Sequence, residues 1–135
     1  MVTIVMDYQD GLRCQATHTP SKTRLLTDAP VDNQGKGESF SPTDLVATAL
    51  GTCMLTTMGI VAQRHGWSMA GASATVIKEM VADPVRRIGR LLVKLTLPAP
   101  LEVKAREALE RAAHTCPVQR SLAANVDVQV EFVWG

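Results

Sequence analysis

Hydrophobic and polar positions fall into blocks of different period along the chain, and those periods predict an α+β succession of elements. Residues 2–8 and 12–18 read as the two strands of a hairpin. Gln9-Asp10-Gly11 lies between them as the turn, because Asp-Gly tolerates the positive φ that a tight hairpin needs. A third strand is expected over residues 22–27. Residues 29–40 hold Pro30, Asp32, Asn33, Gly35 and Gly37, which predict a loop of the kind that often lines sites. Ser41-Pro42-Thr43-Asp44 reads as a helix start: Ser41 caps, Pro42 suits the first helical position, and Asp44 stands where a capping-box acid belongs. The helix should run to about Arg64 and stop at His65-Gly66. Runs rich in β-branched residues over 71–81 and 85–97 predict a second hairpin through Ala82-Asp83-Pro84. A helix over 101–115 is ended by Pro117, and a shorter one follows over 117–124. Val126, Val128, Val130 and Phe132 alternate with Asp127, Gln129 and Glu131 as a half-buried last strand. No internal repeat appears, and one domain over residues 1–135 is expected.

The stretch from Leu45 to Ala62 carries no charge and approaches the length that spans a bilayer. Its threonines and glycines dilute the hydrophobicity, and strand patterns suited to water flank it, so it reads as the buried helix of a globular protein. A helix uncharged on every side offers more surface than a few thin strands cover. A second copy is expected to supply the rest. The architecture expected is therefore antiparallel strands wrapped around a long buried central helix, assembled as a homodimer.

A hydrophobic content of 46% with 20% charge fits one ordinary globular core. Aromatic residues make up only 4%, the net charge is +1, and Arg86-Arg87 is the only adjacent basic pair. Neither stacking platforms nor a basic footprint points to nucleic acid or an anionic membrane as partner. Met1 to Asp7 has no basic region followed by an apolar run, so no export signal is expected. Three widely spaced cysteines, Cys14, Cys53 and Cys116, argue against a secreted disulfide framework and for a reducing compartment, by default the cytoplasm.

Among these cysteines, Cys53 falls on the helix ridge Leu45, Ala49, Cys53 and Thr57, where a thiol is commonly just a small hydrophobe. Cys116 immediately precedes Pro117 at a helix start, where unpaired N–H groups favour a thiolate, the reactive form; the plainer reading is a packed capping residue. Cys14 belongs to no motif and reads as structural. His114 could hydrogen-bond a thiolate, although a histidine at a helix end is commonly a favourable charge on the dipole. No close Cys-x-x-Cys or His pair anchors zinc ligation or thioredoxin-type exchange, so neither metal nor cofactor is expected.

Cys53-Met-Leu-Thr56 and Cys116-Pro-Val-Gln119 are preceded by the approach Gly35-Lys-Gly-Glu-Ser-Phe-Ser-Pro-Thr-Asp-Leu45 and the helix Val46-Ala-Thr-Ala-Leu-Gly-Thr-Cys53. Together they resemble the OsmC/Ohr family, the osmotically induced protein C and organic hydroperoxide resistance proteins. The resemblance implies a thiol-dependent peroxidase working as an intertwined homodimer. Cys53 would attack the peroxide and form a sulfenic acid, Cys116 would resolve it as a disulfide, and an external dithiol would reset the pair. It also implies an arginine that lowers the Cys53 pKa and orients the peroxide. Arg13 and Arg24 are the candidates, with Arg13 preferred. The hydroperoxide-resistance branch carries a glutamate directly after the helix-start proline, where this chain has Thr43. Glu38 or Asp44 would have to stand in, unless Glu38 is a solvated loop charge and Asp44 only a cap. Leu50, Met54 and Met58 are expected to line the pocket beside Cys53 and to favour organic hydroperoxides. The rival from another class is a non-enzymatic small-ligand-binding or redox-sensing protein of the same fold.

Overall fold

The computed structural model describes residues 1–135, which divide into two compact units, 1–46 and 47–135. In the first unit, β1 (Ile4–Tyr8), β2 (Arg13–His18) and β3 (Arg24–Asp28) form an antiparallel sheet in the order β1-β2-β3. The turn between β1 and β2 extends one residue beyond the expected Asp-Gly. Asp10, Gly11 and Leu12 all take left-handed backbone, with φ of 69°, 63° and 63°. Leu12 is held there by donating its N–H to the Tyr8 hydroxyl at 3.2 Å. Every residue of β1 is exposed. The loop that follows contains one 3-10 turn, Val31–Asn33, and Gly35 packs so closely on the Ala29 carbonyl that no side chain fits there.

Helix α1 (Pro42–His65) starts as its sequence predicts. The Ser41 hydroxyl accepts the Asp44 N–H at 3.1 Å while the Asp44 carboxylate accepts the Ser41 N–H at 2.9 Å, a reciprocal capping box. Trp67 N–H returns to the Ala62 carbonyl and Gly66 takes φ 70°, which ends the helix where glycine permits the left-handed turn.

The second unit holds the core. Its sheet has the order β4 (Ser73–Val81), β5 (Arg87–Leu97) and β6 (Asp127–Trp134). Leu91, Val93, Leu95 and Leu97 of β5 are buried against Leu50, Met54 and Met58 of α1 and Leu109, Ala112 and Ala113 of α2 (Val103–Ala113). Gly51 is what lets α1 lie close: a Cβ there would stand 2.8 Å from a methyl of Val76 on β4.

One expectation is corrected. The strands are not all antiparallel: β4 and β5 form the expected hairpin, but β6 runs parallel to β5. The reason lies in the connection. Helices α2 and α3 (Pro117–Ser121) intervene between β5 and β6 and carry the chain back along the sheet, the crossover that parallel pairing requires. As expected of a helix that a few thin strands cannot cover, the single chain leaves one face of α1 exposed. Ala47, Leu50, Gly51, Met54, Met58 and Ala62 form a buried stripe, while Thr48, Thr52, Thr56 and Ile60 are exposed. Thr52 and Thr56 return their hydroxyl protons to the carbonyls one turn back, each at 2.8 Å, so the exposed face from Thr48 to Ile60 carries no charge and few free donors, and Arg64 is the first charge beyond it. By length and composition α1 would be long and apolar enough to cross a membrane.

Candidate active site

Cys53 lies at the middle of α1, half-buried along the edge of the core stripe. The ridge it was assigned to, Leu45, Ala49, Cys53 and Thr57, is half-buried throughout. Cys116 is fully buried and caps α3, accepting the Gln119 N–H at 3.5 Å on its sulfur. The core thus brings the two cysteines together from the middle of one helix and the start of another. Both are free thiols packed into the same core, and each shifts the titration of the other.

The pair is electrostatically uneven. Burial pushes the Cys53 thiol up, but the donors facing it reverse this: the Cys116 thiol, the Val118 N–H and the Thr57 hydroxyl hold Cys53 below a free cysteine's value. Thr57 contributes least. Its oxygen is 4.0 Å from Sγ, and its single proton goes to the Cys53 carbonyl at 2.8 Å. Cys116 moves the opposite way. Burial and the proton it shares with Cys53 push it up, and the Gln119 and Val118 N–H groups do not compensate. The helix-start expectation of a lowered thiol at Cys116 is therefore corrected: burial outweighs the few N–H groups of a short helix and raises Cys116, and Cys53 is the thiol that is lowered.

The candidate charges of the first unit form a cluster of their own. Arg13 on β2 makes two hydrogen bonds with Asp28 at the end of β3, Nε to Oδ1 at 2.7 Å and a terminal nitrogen to Oδ2 at 2.8 Å. Asp28 is only 2% exposed and also accepts the Glu38 N–H at 3.0 Å. Its pKa is lowered, first by the Arg13 hydrogen bond, against burial. Glu38 is the weaker partner, 3.9 Å from the guanidinium and well exposed. Arg24 is exposed at the start of β3, and Asp44 serves the helix cap. Asp28 is the carboxylate that sequence reasoning missed; the strand register names it, because Arg13 and Asp28 are direct cross-strand neighbours.

The remaining candidates lie elsewhere. Cys14 is half-buried on β2 opposite Tyr8 and Thr27. His114 closes α2 with its ring edge on Phe132. Leu50, Met54 and Met58 are fully buried in the core rather than lining an opening, since the buried stripe of α1 faces the sheet. No three His, Cys, Asp or Glu side chains converge to hold a metal ion.

An α+β fold that packs one buried and one half-buried thiol into the same core defines a class of two-cysteine proteins. Within it the comparisons are specific: the OsmC-like protein family matches residues 35–131, and the chain belongs to that family. Among solved structures, a candidate osmotic stress induced and detoxification response protein of Psychrobacter arcticus 273-4 is 44% identical with a TM-score of 0.92, covering 98% of this chain and 96% of that one. The organic hydroperoxide resistance protein OsmC of Legionella pneumophila is 23% identical at TM-score 0.75, with 98% and 96% covered. The organic hydroperoxide resistance protein OhrB of Bacillus subtilis is 18% identical at TM-score 0.71, with 98% and 97% covered. The last two share the fold alone. No curated protein sequence matches the chain.

Proposed function

We propose that the protein is a thiol peroxidase that reduces hydroperoxides, organic ones among them, through Cys53 and Cys116. The observation that carries this reading is the packing of Cys53 of α1 and Cys116 of α3 into one core, where the Cys53 thiol is lowered and the Cys116 thiol raised. Peroxide reduction needs that asymmetry: a thiolate to attack and a protonated neighbour close enough to close the disulfide. Cys53 thiolate attacks the terminal oxygen of R–O–O–H, forming the S–O bond as the O–O bond breaks, and the departing alkoxide takes up a proton to become the alcohol. The Cys116 sulfur then attacks the sulfenic sulfur, and water leaves as the disulfide forms. The two thiols are oxidised, the peroxide yields alcohol and water, and an external dithiol returns the pair to its starting state. Organic substrates are favoured by the names of the Legionella and Bacillus relatives.

The same proposal takes the chain as one OsmC-like domain working as a homodimer in the cytoplasm, where the pair stays reduced between turnovers. The test is stoichiometric. Cumene hydroperoxide added to the reduced protein should consume two of the three free thiols per chain, and Cys53→Ser should abolish the loss. Thiols that survive the peroxide would remove the enzyme reading and leave the ligand-binding one.

A further inference from the structure

Gln119 follows Pro117 and Val118 in the turn that serves both sulfurs. Its backbone N–H reaches Cys116 Sγ at 3.5 Å, and the Val118 N–H before it faces both Cys53 and Cys116. Its side chain does something different. Gln119 Oε1 is enclosed by protein and accepts no hydrogen bond, one of two buried side-chain polar atoms in that condition. The other, Arg87 Nε, belongs to a guanidinium whose remaining nitrogens already donate to the Ile88, Asn125 and Asp83 carbonyls. Gln119 Oε1 has no such compensation. Enclosing an unpaired carbonyl costs about 1–3 kcal/mol, whereas a leucine or methionine of similar size would fill the same space without that cost. An expensive acceptor in the turn that carries the resolving thiol is accounted for by a donor that arrives with the substrate.

We infer that Gln119 is a substrate-contacting residue of the proposed peroxidase, its Oε1 accepting the terminal O–H of the hydroperoxide. The inference rests on the peroxidase reading and deepens it. A hydroperoxide carries one donor, on the oxygen that Cys53 must attack, so an acceptor fixed here presents that oxygen rather than the inner one. The hydrogen does not move in the step. The S–O bond forms, the O–O bond breaks, and the hydrogen stays on the transferred oxygen as the sulfenic S–O–H. One acceptor therefore holds the same hydrogen in the bound peroxide and in the oxidised enzyme, and keeps the sulfenic sulfur turned toward Cys116. The substrate class that follows is any peroxide with a terminal O–H, whatever its organic group; a dialkyl peroxide offers nothing to Oε1.

The experiment compares wild type with Gln119→Leu in two single-turnover reactions at Cys53. With cumene hydroperoxide, the second-order rate constant is expected to fall about 10-fold, the factor of one hydrogen bond. With methyl methanethiosulfonate, which needs the same thiolate but brings no hydrogen-bond donor, the rate is expected to stay within about twofold. Should the leucine variant fail to unfold cooperatively, Gln119→Met, unbranched like glutamine, carries the same expectations. An unchanged peroxide rate, or an equal fall in both reactions, overturns the inference while leaving the peroxidase intact. A wild type inert to peroxide overturns the reading beneath it.

Discussion

Two cysteines of equal intrinsic chemistry diverge here because they differ in burial and in the donors that face each sulfur. Cys53 is lowered by the Cys116 thiol and the Val118 N–H in spite of burial, and Cys116 is raised by burial and by Cys53. The sign has a direct consequence. In wild type the Cys53 thiolate is populated below the ordinary thiol value of about 8.5, so its alkylation by iodoacetamide, followed on the Cys53 peptide, should have its pH midpoint below that value. Cys116→Ala removes the strongest donor and should move the midpoint up; an unmoved midpoint would contradict the assignment. Asp28 gives a second titration. Its carboxyl is depressed by Arg13, so it stabilises the fold fully above the unfolded value of about 3.9 and loses that contribution as pH falls through and below it. Melting temperatures between pH 6 and pH 3 should fall more steeply in wild type than in Asp28→Asn, which begins lower. Parallel slopes would show that the ion pair does not act on stability. The motifs around Cys53 and Cys116 were legible in the sequence because each combines a thiol with a recognisable helix start or core ridge. Asp28 was not legible, because its role depends on the register of two strands, and neither was the buried Oε1 of Gln119, which only the packed turn defines.

At the level of elements, local signals located nearly every strand and helix, and they failed where a long connection decides the outcome. Alternation in Val126 to Phe132 told which side chains face inward, as Val128, Val130 and Phe132 do, but not which way the strand runs. Direction was set by the α2 and α3 crossover, which period alone does not reveal. The start of α1 is the opposite case, written entirely in Ser41 and Asp44. Ser41→Ala removes the hydroxyl that accepts the Asp44 N–H at 3.1 Å and should cost about 1 kcal/mol in urea unfolding. A loss near zero would mean that the carboxylate half of the box suffices.

For the whole molecule, the distribution of apolar surface is the informative quantity. The hydrophobic core draws only on residues of the second unit, while Ile4, Met6, Tyr8, Leu25 and Leu26 of the first sheet are exposed, as is Ile60 on α1. Apolar surface on this scale marks an interaction site, and a second copy is the partner proposed for it. Light scattering should return twice the chain mass, with Ile60→Glu shifting the protein toward monomer; a wild-type monomer would refute the dimer. The central claim is the chemical coupling of Cys53 to Cys116, and peptide mapping after one equivalent of cumene hydroperoxide tests it most directly. The expected product is a single disulfide joining the Cys53 and Cys116 peptides with Cys14 still reduced. A disulfide that includes Cys14, or a Cys53 sulfinic acid with Cys116 untouched, would contradict it.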